Sequence, residues 1–207
     1  MKNLISIIFI AQLILFISCK NDKQEKITGG ESVSYKSPIG TNEKVIDYNQ
    51  KGINYSEENK FKKAENAFLK ALKIEPENYV VLNNYGLYKT ITGEFEESIN
   101  LMEKSLKLSD STYFPSAVNL SRTYFFNKEF KKGINIGTYV IDNSDDSEIL
   151  FQAYVNRIGN YIASKECEIA INEKDKIIKM FNDMPNFDFH FDNIEKLFEK
   201  YCGQHRL

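Results

Sequence analysis

The chain has 207 residues, with 27 Lys and Arg against 29 Asp and Glu and a net charge of −2. That balance lacks the basic surplus of a nucleic-acid binder, and a hydrophobic share of 42% suffices for a packed core. Three Cys are too few for a disulfide scaffold or a zinc module, and the only His residues are His190 and His205, so a metal- or His-dependent enzyme has little to draw on.

The N-terminus reads as an address. Met1-Lys2-Asn3 is a short positive start, and Leu4 to Ile17 is apolar apart from Ser6 and Gln12. That run suits a signal-peptide core and is short for a membrane span, which needs about 20 apolar residues. It closes on Leu15-Phe16-Ile17-Ser18-Cys19, a small residue directly before a cysteine. This resembles the lipobox of bacterial lipoproteins, with Phe16 departing from the usual Leu. The resemblance implies removal of residues 1–18 and acylation of Cys19, and two or three acyl chains anchor stably where one is marginal. Lys20 follows Cys19, where an Asp commonly retains lipoproteins at the inner membrane. The expected location is therefore the outer membrane, facing the periplasm or the cell surface.

Residues 19–42 are polar, with Gly29-Gly30, Ser32, Ser34, Ser37, Pro38 and Gly40. They read as a flexible tether reaching about 25–30 Å.

From Val45 onward the apolar spacing is helical, and it repeats. Gly52 aligns with Gly86, Ala64 with Ser98, Phe68 with Met102, and Ala71-Leu72 with Ser105-Leu106. A third copy aligns Leu120-Ser121 with Tyr85-Gly86, Phe130 with Phe95 and Phe61, and Gly133 with Ser98. The copies span about 45–78, 79–112 and 114–147. Small residues at Gly52 and Ala64 let two helices approach closely, and Pro76 stops the second helix. Each hairpin leaves an apolar face that only a neighbour can cover.

This pattern resembles the tetratricopeptide repeat. The first copy carries Tyr48, Gly52, Tyr55, Ala64, Phe68, Ala71 and Pro76 at the family's spacing, with Lys51 replacing the preferred Leu. The third copy departs most, with Ser121 for Gly and Gly137 where a bulky residue is usual. The resemblance covers 43–146 and implies an all-α fold, a short α-solenoid of stacked helix–turn–helix hairpins. It also implies a concave groove, lined by the first helices, that takes a protein or peptide segment. The groove set is Asn49, Gln50, Ile53, Asn83, Asn84, Leu87, Asn119, Arg122 and Phe126. Gln50, Asn84 and Asn119 share one repeat position, and a ladder of amides, each donor and acceptor at once, can grip a peptide backbone without reading its side chains. Arg122 is the single cation in the set, which argues against the two-carboxylate clamp of chaperone-binding repeats.

Residues 147–207 read as a diverged hairpin, Ser147–Ile162 and Lys165–Met184, and a final helix Asp188–Cys202 that caps the stack. Cys167 and Cys202 fall on different helices. Outside the cytoplasm they can pair; otherwise they are small apolar packers. Asp142, Asp145, Asp146 and Glu148 lack the alternation and the Gly of a calcium loop, and read as a solvated turn with Asp146 or Ser147 capping the next helix. His190, among Phe187, Phe189 and Phe191, reads as a packing or capping residue rather than a ligand. No catalytic motif, metal site or cofactor is expected.

The sequence thus points to a non-enzymatic, lipid-anchored adaptor that binds proteins at the bacterial envelope. The alternatives are an accessory binder of glycan or peptidoglycan fragments and a self-associating, homodimeric envelope protein.

Overall fold

The computed structural model describes residues 38–181, 183 and 187–203. The expected signal peptide, Cys19, the tether up to residue 37, and His205 lie outside them. Among the described residues there are nine helices and no strand. They are α1 (Glu43–Glu57), α2 (Phe61–Ile74), α3 (Tyr79–Thr92), α4 (Phe95–Leu108), α5 (Phe114–Phe126), α6 (Phe130–Asn143), α7 (Ser147–Ala163), α8 (Cys167–Phe181) and α9 (Phe187–Tyr201). None of them is long and apolar enough to cross a membrane.

Three helix starts, those of α1, α3 and α7, carry side-chain caps. Asn42 Oδ1 accepts from Lys44 N at 2.9 Å, and Asn78 Oδ1 accepts from Val81 N at 3.1 Å. Asp146 Oδ1 takes the amides of Glu148 and Ile149 at 2.9 and 3.0 Å, which gives one member of the acidic turn its role. Pro115 enters α5 in its first turn, where a missing N–H costs nothing.

Pairs α1/α2, α3/α4, α5/α6 and α7/α8 form four hairpins with one turn in common. Asn59, Gly93, Lys128 and Lys165 each have positive φ, of 57°, 85°, 62° and 69°. The next residue closes each turn: Lys60, Glu94, Glu129 and Glu166 donate their amides to Tyr55, Lys89, Tyr124 and Tyr161 O at 2.8–2.9 Å. This is a Schellman ending used four times. The turn residues are spaced by 34, 35 and 37 residues, so α7/α8 is a fourth unit in register with the others.

The core follows the small-and-large alternation. Ala64, Ala71, Ser98, Ser105 and Ser121 are fully buried, as are Met102 and, to within 1%, Phe68. Where serine replaces alanine or, at Ser121, glycine, the hydroxyl donates to a carbonyl across the helix pair: Ser98 to Gly86 O at 2.7 Å, Ser105 to Tyr79 O at 2.6 Å, Ser121 to Gly133 O at 2.8 Å. The close approach is kept and no buried hydroxyl is left over there. Helix α7 buries nearly its whole circumference, with Phe151, Tyr154, Val155, Ile158 and Ile162 joining Ala170, Ile177, Phe181, Ile194 and Phe198 in one cluster. α9 completes that cluster and closes the last hairpin. Cys167 and Cys202 are disulfide-bonded, with Cα atoms 5.9 Å apart.

Candidate partner-binding groove

Helices α1, α3, α5 and α7 are the first helices of the four hairpins. Their equivalent positions place Ile53, Leu87, Arg122 and Gly159 in one row, and Gln50, Asn84, Asn119 and Asn156 in the row beside it.

The side-chain amides form a connected chain. Arg122 Nη2 donates to Asn119 Oδ1 at 2.9 Å, and Asn119 Nδ2 donates to Asn83 Oδ1 at 3.1 Å. Asn83 Nδ2 donates to Asn84 Oδ1, and Asn84 Nδ2 to Asn49 Oδ1, each at 3.2 Å. One path thus runs from α5 through α3 to α1. Asn49 and Asn83 are buried; Asn84, Asn119 and Arg122 are half-buried. Each amide carries two N–H donors and two carbonyl lone pairs. The links use one N–H each of the half-buried Asn84 and Asn119, and each amide keeps a second.

Gln50 stands apart. It is exposed, and its Nε2 donates to Asn54 Oδ1 within α1 at 2.8 Å. Asn49, one residue earlier, takes the bond from Asn84, at the repeat position from which Asn83 takes the bond of Asn119. Leu87 packs against Ile99, Met102, Leu120 and Tyr124. Phe126 stacks on Phe95 with ring centres 6.0 Å apart and meets Phe125 edge-on at 5.5 Å. In the fourth unit, Asn156 Nδ2 donates to Val118 O at 3.0 Å, so the amide row ends in a backbone contact.

Ion pairs bind neighbouring helices together. Lys89 is 3% exposed, and its Nζ lies 2.8 Å from Glu65, 2.8 Å from Glu94 and 3.1 Å from Glu97. Burial alone would lower its pKa; hydrogen bonds to three carboxylates prevail and hold it above the usual lysine value. Tyr85 beside it is pushed up to about 12, chiefly by burial. Arg157 pairs with Glu173 and donates to Thr138 Oγ1 at 2.8 Å.

An open cleft of 710 Å³ lies between α4 and α6, lined by Leu106, Leu120, Tyr124 and Ile136 with Glu103, Lys107, Asp110 and Lys132. Tyr124 is its single aromatic, and that hydroxyl donates to Glu103 Oε1 at 2.6 Å. A glycan-stacking wall is not built there.

Four in-register hairpins, with an amide chain along the first helices of three of them, define an α-solenoid. Comparison adds that the tetratricopeptide-repeat model matches residues 48–78, within the first hairpin and the loop after it. A tetratricopeptide repeat protein from Parabacteroides merdae superposes with a TM-score of 0.60 at 18% identity, covering 78% of this chain and 61% of that one. The chain thus spans about three fifths of that relative's length. MamA from AMB-1 superposes with a TM-score of 0.54 at 16% identity, covering 77% of this chain and 83% of that one. No curated protein matches the chain.

Proposed function

We propose that this protein is a lipid-anchored adaptor of the bacterial envelope, which holds a segment of a partner protein in the groove formed by α1, α3 and α5. The observation that carries the reading is the amide chain from Arg122 to Asn49. It crosses three hairpins, is pre-organised by its own hydrogen bonds, and turns half-exposed donors to the groove at repeat intervals, as the backbone of an extended segment requires. The anchor rests on the lipobox-like Leu15-Phe16-Ile17-Ser18-Cys19 and on the Cys167–Cys202 bridge, which suits an oxidising compartment. Lys20 after Cys19 supports the outer membrane.

The test is crosslinking capture from membranes, wild type against Asn84→Ala/Asn119→Ala/Arg122→Ala. A partner captured by wild type and lost with the variant, at unchanged helical circular dichroism, supports the adaptor. Equal capture removes the groove from the reading. Labelled palmitate should enter wild type and not Cys19→Ser.

Self-association is the second reading. Ile46, Phe61, Leu69 and Ile74 of the first hairpin are 38–49% exposed, while α9 covers the opposite end. Sedimentation of wild type against Ile46→Lys/Leu69→Lys separates the two: a dimer abolished by the substitutions supports self-association, and a monomer excludes it.

A further inference from the structure

α9 does more than end the stack. In the groove row of Ile53, Leu87 and Arg122, the fourth unit has Gly159. Leu197 Cδ1 of α9 stands 3.8 Å from where a Cβ on Gly159 would be, and the Phe125 ring of α5 stands 3.9 Å from it. α9 therefore lies on the groove side of α7, in space that a side chain as large as those of Ile53, Leu87 or Arg122 would fill. At its other end the His190 ring meets Phe151 edge-on at 5.4 Å and lies close enough to Arg122 to feel its charge.

The helix is an amphipathic ligand in form. Ile194 and Phe198 are buried, with Leu197 packed beside them, while Asp192, Lys196 and Glu199 face solvent. Glu195 accepts from Lys174 Nζ at 2.8 Å, and that ammonium also sits over the Phe191 and Phe198 rings at 5.7 and 5.3 Å. The covalent tie lies at the end of the helix: Cys202, just beyond α9, is bonded to Cys167 at the start of α8, and both are half-buried.

We infer that α9 is the chain's own occupant of the groove over α5 and α7, latched by Cys167–Cys202, and that reduction of this bond yields the surface to an amphipathic helix of a partner with the same apolar spacing and a carboxylate for Lys174. The reductant is a dithiol. Its thiolate attacks one sulfur of the bridge, giving a mixed disulfide and one free cysteine thiolate, which takes up a proton. Its second thiolate then displaces the other cysteine, so two electrons and two protons pass to the cysteines and the dithiol leaves as a disulfide. This inference rests on the groove reading above, but the groove of α1, α3 and α5 is open in either redox state. Partner capture there survives a failure here.

The experiment uses the full chain, oxidised and then reduced with dithiothreitol, alongside Cys167→Ser/Cys202→Ser. Amide hydrogen exchange should quicken at least tenfold in α9 on reduction and in the double variant, with α1–α6 unchanged. Unchanged protection of α9 in both overturns the latch; a general rise through α1–α6 overturns it as well, because the bond then serves the whole fold. The second probe is a labelled peptide of residues 187–203, added to the full chain carrying Ile194→Asp/Phe198→Asp. Binding to the reduced form with at least tenfold preference over oxidised wild type supports a vacated helix site. No binding, or equal binding to both, overturns it.

Discussion

The side-chain amide of Asn160 in α7 occupies the point where a Cβ on Gly133 of α6 would stand, with Oδ1 2.3 Å from it. Asn160 is fully buried and donates to Ser121 O at 3.2 Å and Asn156 O at 2.9 Å. It cannot retreat without breaking one of these bonds. Gly133→Ala should therefore lower stability by about 1–3 kcal/mol, even though alanine is the better helix former. Gly137→Ala, whose Cβ would meet Arg157 Cβ at 3.2 Å, should cost less. Urea midpoints of the two variants give the order, and a Gly133→Ala midpoint at or above wild type contradicts the packing argument.

Lys89 ties α3 to carboxylates on two hairpins: Glu65 on α2, and Glu94 and Glu97 beside it. The carboxylates are 38–49% exposed and can rehydrate, so Lys89→Ala should cost about 1–3 kcal/mol, below the full loss for a wholly buried pair. Lys89→Met loses the ammonium over the Tyr85 and Tyr88 rings but keeps a long apolar side chain in the buried site, and should cost less than Lys89→Ala. The hydrogen bond from Lys89 is the main cause holding the Glu94 pKa below its usual 4.5. That contribution is present above pH 4.5 and lost as pH falls through the depressed value. Unfolding of wild type and Lys89→Met across pH 3–7 should converge at the acid end; a constant difference contradicts the ion-pair origin.

The repeat was legible because its cause is local. Gly52, Ala64, Phe68 and Ala71 recur as small or large residues wherever two helices touch, and Pro76 marks a stop. The less regular features depend on partners far along the chain. Gly137 stands where Phe68 and Met102 stand in the earlier units, and Arg157 of the next hairpin approaches in its place. Asn49, rather than Gln50, joins the amide chain because each amide bonds one position back in the preceding unit, as Asn119 does to Asn83, a cross-repeat offset that alignment by equivalent positions does not reveal. A separation of 35 residues between Cys167 and Cys202 sets no distance until α9 docks on α7. The one hint to α9's position was the glycine in the Ile53–Leu87–Arg122 row, visible once the fourth unit is aligned with its turn at Lys165.

His190 gives the stability a pH dependence. Burial first, and the Arg122 charge second, hold its pKa below the usual 6.5. The folded protein therefore keeps the ring neutral where the unfolded chain takes up a proton. Stability from this group is complete above pH 6.5, falls as pH drops below it, and levels off under the folded value. The wild-type urea midpoint should fall between pH 7 and 5.5, and His190→Phe, which keeps a ring against Phe151, should remove part of that fall. Identical pH profiles would show that α9 docking is indifferent to this proton.

The amide chain is open to the sharpest test at its middle. Asn83 is 2% exposed, accepts from Asn119 and donates to Asn84, so it is the single link between α5 and the Asn84–Asn49 pair. Asn83→Ala leaves a buried gap and strands one donor and one acceptor, at a cost of about 1–3 kcal/mol. Asn83→Asp keeps the acceptor for Asn119 but cannot donate to Asn84, and it buries a charge. Asn83→Leu removes the polar link with an apolar group of similar size, and should recover part of the stability lost in the alanine variant. If the chain orients Asn84 and Asn119 for a bound segment, Asn83→Leu should weaken partner capture at least tenfold while Asn54→Ala, which removes the hydrogen bond to Gln50, leaves it unchanged. Titrated capture at matched folded fractions separates the effects: affinity that follows stability alone makes the chain a packing device, and affinity lost with the link at equal stability makes it part of the groove.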